Sequence, residues 1–356
     1  MTMRDDIIIN GRAIGTSHKP YIVAELSGNH NQSIERAIQL IDAAADSGAD
    51  AVKLQTYTAD TMTLNCRMPG FFVDNPESLW AGRTLYDLYE EAHTPWEWHE
   101  QLFAHAKKRN IAMFSSPFDK TAVDFLESLN VPAYKVASFE CTDLALIRYV
   151  ASTGKPLIIS TGMAKASEIE EAVATARLAG CKELILLKCT STYPATAANT
   201  NISTIPHLRD LFNCHVGLSD HTMGNGVSVA SVALGAVLIE KHFTLDRTDG
   251  GVDSTFSMEP AELSALCKDT ESAFAAMGCI HYGPVKAEQD SIQFRRSVYA
   301  VRDIRKGERF TEENIRTIRP GFGLPPKEID RLIGCIATQD ITAATPMSWD
   351  LVTGMR

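Results

Sequence analysis

The sequence predicts an α/β protein, a (β/α)8 TIM barrel followed by a small C-terminal β domain. Three observations carry this. Between Tyr21 and Met277, short apolar runs alternate with amphipathic stretches that close on glycine, eight units in roughly 250 residues, the usual span of such a barrel. Nearly every apolar run ends in side chains able to bind or ionise, where a purely structural turn would show Gly, Pro, Asn or Asp. After Met277 the pattern stops, and short β-like runs lie between Gly and Pro turns.

The elements follow in order. Tyr21-Ile22-Val23-Ala24 reads as the first strand, ending at Glu25. Ser33 is placed to cap a helix over residues 36–45, with Gly48 as its terminating glycine. Residues 51–55 form the second strand. A long insertion, 56–94, rich in aromatic, Asn, Pro and Gly residues, has the length of a lid or binding loop. Pro95 is suited to the first position of a helix over 96–109. The remaining strands are 111–114, 133–136, 156–159, 184–187, 215–218 and 237–240, with helical segments between them and a last helix over 260–277. The expected domains are a barrel over 1–282, a polar linker over 283–296 and a small domain over 297–356, which at about sixty residues is marginal alone.

Composition narrows the function. Of 356 residues, 45% are hydrophobic and 22% charged, and the net charge of −10 argues against a nucleic-acid or anionic-membrane surface. An anionic substrate would need a local cluster of cations. The eight cysteines show no CxxC spacing, and buried free thiols are expected. No apolar stretch approaches the ~20 residues of a membrane span, and the N-terminus has no signal-peptide core, so a cytoplasmic protein is expected.

In a parallel barrel the active site lies at the C-terminal strand ends. Those ends carry Glu25 with Asn29-His30-Asn31, then Lys53 and Gln55, Ser115-Ser116, Lys135 with Ser138 and Glu140, Ser160-Thr161, Lys188 with Ser191, Ser219-Asp220-His221, and His242. Any one serine reads equally as a cap, and Lys188 could snorkel outward. Lys53 and Lys135 lie inside apolar segments where an unpaired ammonium is costly, so a bound phosphate or carboxylate is expected beside them. Glu25 is placed to act as acid, base or substrate anchor. His221 and His242 could each be core histidines, but two matched strand ends favour a shared metal, with Mn2+ or Mg2+ compatible with oxygen ligands in the remaining positions.

These residues resemble the sialic acid synthase family: Ala24-Glu25-Leu26-Ser27-Gly28-Asn29-His30-Asn31, Val52-Lys53-Leu54-Gln55-Thr56, Ser160-Thr161-Gly162-Met163, Gly217-Leu218-Ser219-Asp220-His221-Thr222 and Glu240-Lys241-His242-Phe243-Thr244. The tail, with Arg319-Pro320-Gly321, resembles its antifreeze-like (SAF, β-clip) domain. The resemblance implies condensation of phosphoenolpyruvate with an N-acylated amino sugar to a nine-carbon 2-keto acid and phosphate. It implies phosphate contacts from Lys135, Ser138, Ser160, Ser191 and Ser219, and carboxylate contacts from Lys53 and Ser116. Gln55, Glu140, Tyr193, Asp253 and a partner chain's Arg319 would meet the sugar. His221 and His242 would hold the metal with Glu25 beside the reacting carbons, in a domain-swapped homodimer. Ser116 and Ser191 depart from the threonine and asparagine of neuraminic acid synthases but keep a hydrogen-bond donor. The insertion from Leu79 to His99 and Gly250-Gly251-Val252-Asp253-Ser254 resemble the pseudaminic acid branch, whose sugar is 2,4-diacetamido-2,4,6-trideoxy-L-altrose. Neuraminate or legionaminate synthesis, a Schiff-base aldolase using Lys135, and a non-catalytic sugar-binding role are the rival readings.

Overall fold

The computed structural model describes residues 5–76 and 78–354. An antiparallel hairpin opens the chain, β1 (Ile7–Ile9) against β2 (Arg12–Ile14). Eight parallel strands then close into a barrel: β3 (Tyr21–Glu25), β4 (Ala51–Thr56), β5 (Ala112–Pro117), β6 (Tyr134–Val136), β7 (Leu157–Ser160), β8 (Leu184–Cys189), β9 (His215–Ser219) and β10 (Leu238–His242). Each strand pairs with its sequence neighbour, and β10 closes on β3 with His242 opposite Glu25. That order follows from helical crossovers of one hand, each returning the chain beside the strand it has just left.

Local signals act where the sequence places them. Ser33 accepts from the Arg36 amide at the head of helix Ile34–Ser47, and Gly48 leaves that helix at φ 91°. Asp119 caps Lys120–Ser128 through the amides of Thr121 and Ala122. Pro95 behaves differently from expectation. Its ψ of 130° is extended and its carbonyl accepts from Trp98 at 3.1 Å, so a 3-10 turn, Trp96–Trp98, precedes helix His99–Lys108.

Side chains alternate across each barrel strand. Outward residues such as Ile22, Ala24, Val52, Leu184 and Leu186 pack in two apolar clusters under the helices. Inward residues, among them Val23, Phe114, Ile158, Ile185 and Leu187, fill the barrel together with Ile7, Ile9 and Ile14 of the hairpin. The hairpin therefore stops the N-terminal end, where the His215 ring also reaches the Asp5 carbonyl at 3.0 Å. Truncating the fully buried Phe114 to alanine would cost about 3–5 kcal/mol. The same inward alternation, carried one step further up each strand, becomes polar at the C-terminal end.

The chain divides after Gly278 into two compact units. In the second, β11 (Ser297–Ala300) pairs with β12 (Ile315–Ile318) and β13 (Ile336–Ala337) with β14 (Val352–Thr353), both antiparallel. Its core is Val298, Ile304, Phe310, Ile315, Leu332 and Met347. The stretch expected as a linker is built into this unit. It carries a 3-10 helix, Lys286–Phe294, and the Gly321 amide donates to the Gln293 carbonyl at 2.8 Å. Among the described residues no helix is long and apolar enough to cross a membrane, and all eight cysteines are free thiols.

Candidate active site

The C-terminal strand ends enclose a cavity of about 470 Å³. Its floor is a buried charge cluster. Lys53 of β4 is ion-paired with Glu25 of β3, donates to Ser116 Oγ at 3.2 Å, and stands 3.8 Å from Glu240 of β10. Lys135 of β6 donates to Glu240 Oε1 at 3.3 Å, as does Ser219 Oγ. Each lysine therefore has a protein carboxylate beside it, so neither ammonium is unpaired. The two lysines and two carboxylates thus offset one another in a site where any unpaired member would be costly. Burial pushes the Glu25 carboxyl up, against the pull of Lys53. Burial also pushes Glu240 up, but Lys135 and Lys53 outweigh it and hold the carboxyl below its ordinary value.

A hydroxyl cradle borders the lysines. Ser160 Oγ is buried and lacks a hydrogen-bond partner. Ser138 Oγ lies 3.2 Å from the Gly162 amide. A Cβ on Gly162 would fall 2.1 Å from Ser191 Oγ and 2.7 Å from Ser138 Oγ, so the two hydroxyls converge where only a glycine fits. The unpartnered Ser160 hydroxyl, in a cavity that Lys53 and Lys135 also line, is free to donate to an oxyanion.

The two imidazoles line the cavity as neighbours, edge to face, with ring centroids 5.3 Å apart. His221 Nδ1 sits 2.9 Å from the Thr190 carbonyl and donates there, which leaves Nε2 free. His242 Nδ1 is buried without a hydrogen-bond partner, 3.8 Å from Asp253 Oδ2. Burial holds His242 well below its ordinary pKa, so its imidazole is neutral, the form a metal requires. For His221 burial acts the same way, but contacts with Cys189 and the Thr190 carbonyl outweigh it and raise its pKa, so a metal there would displace a proton. Two imidazoles with a carboxylate nearby and cavity on one side fit an open divalent site, although among the described residues no set of three His, Cys, Asp or Glu side chains forms a complete cage. Tyr193 packs on His221 at 4.5 Å, and Phe256 lies 4.9 Å from His242.

Gln55 donates to Glu25 Oε1 at 3.0 Å, and Glu140, Tyr193 and Asp253 line the same cavity. Burial pushes the Glu140 carboxyl up to about 7. The long insertion supplies the lid wall with Met62, Val73, Trp80, Leu85 and Leu88. Its Trp80 indole donates to the Val252 carbonyl at 2.8 Å. Arg319 lies in the second unit, exposed beside β12.

Several strand-end residues turn away. Lys188 points outward and bonds the Cys189 carbonyl at 2.6 Å. Asp220 faces the helices, where Lys241 and Ser228 bond it. His30 packs against Trp98, and Asn29 ties the Phe243 carbonyl to Ser257. Ser115 bonds Thr56, and Thr161 donates to the Leu187 carbonyl. Glu240 and Cys189, which the sequence reading left out, point in. Their signal was the two-residue period, since Glu240 and His242 share one face of β10.

A closed parallel barrel with ionisable groups gathered at its C-terminal mouth has the layout of a barrel enzyme. The chain belongs to the NeuB family, whose model matches residues 40–282, and a SAF domain model matches residues 295–353. It is 44% identical to the pseudaminic acid synthase of Campylobacter jejuni subsp. jejuni over 92% of this chain and 94% of that one. Identity to the N,N'-diacetyllegionaminic acid synthase of the same organism is 39%, over 90% and 97% of the two chains. Among solved structures, the N-acetylneuraminic acid synthetase of Leptospira borgpetersenii, crystallised with citrate, superposes with a TM-score of 0.72 at 32% identity, covering 82% of this chain and 97% of that one.

Proposed function

We propose that the chain is a phosphoenolpyruvate-dependent synthase that joins the three-carbon enol to 2,4-diacetamido-2,4,6-trideoxy-L-altrose, releasing phosphate and a nine-carbon 2-keto sugar acid. The observation that carries the chemistry is one cavity lined by Lys53, Lys135, Ser138 and Ser160 together with the paired imidazoles of His221 and His242. The choice of sugar rests on the pseudaminic acid synthases among the relatives and on an apolar lid wall able to take a 6-deoxy methyl end.

Lys135, Ser138, Ser160, Ser191 and Ser219 hold the phosphate group, and Lys53 with Ser116 the carboxylate. The nucleophilic enol carbon forms a bond to the sugar's aldehyde carbon, water adds at the adjacent cationic carbon, and the tetrahedral intermediate collapses with loss of phosphate. Lysines fixed around the phosphate stabilise the charge that develops on it. Glu25, held by Gln55 and Lys53, is the acid–base group beside the reacting carbons. Gln55, Glu140, Tyr193 and Asp253 face the sugar. His221 and His242 would hold a divalent cation, Mn2+ or Mg2+, which when bound supplies Lewis-acid polarisation of the aldehyde. The lid excludes water.

The active form is proposed as a domain-swapped homodimer in which the partner's SAF domain brings its Arg319 to the sugar. In support, Phe139 and Met163, on the loops after β6 and β7, and Met223, on the loop after β9, are exposed, and so is Phe322 beside Arg319. Such an apolar set suits an interface.

A second reading is a Schiff base at Lys135, whose pKa burial lowers against the pull of Glu240. The two readings separate in one experiment. Condensation predicts that a chelator, His221→Ala or His242→Ala each removes turnover by about 100-fold or more while the thermal midpoint is kept. It also predicts that borohydride traps no substrate–lysine adduct. Full activity of either histidine variant without metal, or a trapped adduct at Lys135, would sink it.

A further inference from the structure

Ser27, two residues past the end of β3, lies behind the cavity and bonds two residues that line it, Glu25 and Asp253. Its backbone lies in the left-handed region, φ 41°, where serine is strained and glycine or asparagine fits more easily. It is only 1% exposed, so its hydroxyl does not serve solvent. Both of its donors are directed at active-site carboxylates. The amide donates to Glu25 Oε1 at 3.1 Å, and the hydroxyl to Asp253 Oδ2 at 2.5 Å. That same Asp253 oxygen stands 3.8 Å from His242 Nδ1, the buried nitrogen without a hydrogen-bond partner.

The next residue completes the elbow. A Cβ on Gly28 would fall 2.5 Å from Val252 Cγ2 and 3.1 Å from Ala92 Cα, so glycine there lets the loop after β10 and the end of the lid close onto Ser27. Val252 is also the residue whose carbonyl receives the Trp80 indole. A turn needing only a positive φ would be served by glycine at position 27 as well. A strained, buried serine whose two donors serve two ionisable groups is the pattern of a functional constraint.

We infer that Ser27 is a positioning residue for the sugar-activating wall. Its hydroxyl fixes the Asp253 carboxylate 3.8 Å from His242 Nδ1, just beyond hydrogen-bond reach. There its charge favours a proton on Nδ1, the side on which outer carboxylates stand at metal-binding histidines, and leaves Nε2 to the cavity. Its amide separately aims Glu25 at Lys53. The inference rests on the proposed roles of His242 and Asp253. The two contacts come apart chemically, because a side-chain substitution removes the hydroxyl and keeps the amide. The loss therefore falls on the sugar side and spares phosphoenolpyruvate.

The test compares wild type, Ser27→Ala, Ser27→Gly, Asp253→Asn and the Ser27→Ala/Asp253→Asn double variant. Phosphate release is measured against both substrates, and Mn2+ affinity by calorimetry on the same proteins without substrate. Ser27→Ala should lose about 10-fold or more in kcat/KM for the sugar. Its KM for phosphoenolpyruvate should stay within about twofold of wild type. Ser27→Gly, although relieved of strain, should do no better, and the double variant should be no worse than Asp253→Asn. Mn2+ should bind about 10-fold more weakly to both Ser27 variants. Wild-type kinetics in Ser27→Gly, a matching rise in the phosphoenolpyruvate KM, or additive losses in the double variant would overturn the inference. If the wild type releases no phosphate with any sugar, the functional reading fails and the Mn2+ titration decides the clamp alone. No Mn2+ binding by the wild type, or unchanged affinity in both variants, then contradicts it. Should Ser27→Ala not fold, Ser27→Gly carries the same comparisons.

Discussion

Glu140 shows how one buried carboxyl links the site to pH. Its pKa is raised from 4.5 to about 7 by burial, so the folded protein binds this proton more tightly than the unfolded chain does. The contribution to stability is complete below the unfolded value and is lost as pH rises through about 7. Glu140→Gln has no such proton to lose. Thermal melts across this range should therefore show wild type falling relative to Glu140→Gln by up to roughly 3 kcal/mol. Parallel curves would mean that Glu140 is not buried as described. At this scale the sequence was partly legible. Lys53 and Lys135 announced themselves as cations in apolar strands, but their partner Glu240 did not, because β10 was read by its apolar neighbours and by His242. Lys188 was ambiguous for the opposite reason, since an apolar run with one lysine looks alike whichever way the lysine points. The even or odd position along the strand decides it, and Cys189 takes the inward place.

The strand–loop units set the geometry that single residues exploit. The β7 loop is an example. Its Gly162 lies where the hydroxyls of Ser138 and Ser191 converge, and a methyl there would push both aside. Only short side chains would move, so Gly162→Ala should fold normally yet lose about 100-fold in kcat/KM for phosphoenolpyruvate, as a misplaced contact near 1 Å can. Circular dichroism and steady-state kinetics check both halves, and wild-type kinetics would show that the cradle is not the phosphate site. The barrel strands were readable because eight apolar runs with helical returns leave few other topologies. The 3-10 turn after Pro95 was not, since it depends on the ψ of one residue. The lid's contacts were not either, because Trp80 meets a carbonyl 172 residues away in sequence.

Across the whole molecule, a chain of net charge −10 buries two lysines, Lys53 and Lys135, in one cluster and balances them there with carboxylates. The second unit has its own small core, and its boundary fell at Gly278, earlier than the polar composition of 283–296 suggested, because that stretch bonds back to Gly321. Its proposed swap is open to complementation. Arg319→Ala and His242→Ala each remove activity, but in a mixed, re-equilibrated dimer one of the two sites combines an intact barrel with an intact arginine. Activity should return to about a quarter of wild type. No recovery, with mixed dimers verified by mass, would place Arg319 in its own chain's site; full activity of Arg319→Ala alone would place it outside catalysis.

The most direct measurement of the central claim is phosphate release from phosphoenolpyruvate with Mn2+ and a panel of sugars. The panel comprises 2,4-diacetamido-2,4,6-trideoxy-L-altrose, N-acetylmannosamine and the sugar used by legionaminate synthases. The account predicts release only in the presence of sugar, highest kcat/KM with the altrose derivative, and a product whose mass equals that of the two substrates plus water less phosphate. Turnover confined to N-acetylmannosamine, or phosphate release indifferent to sugar, would contradict it.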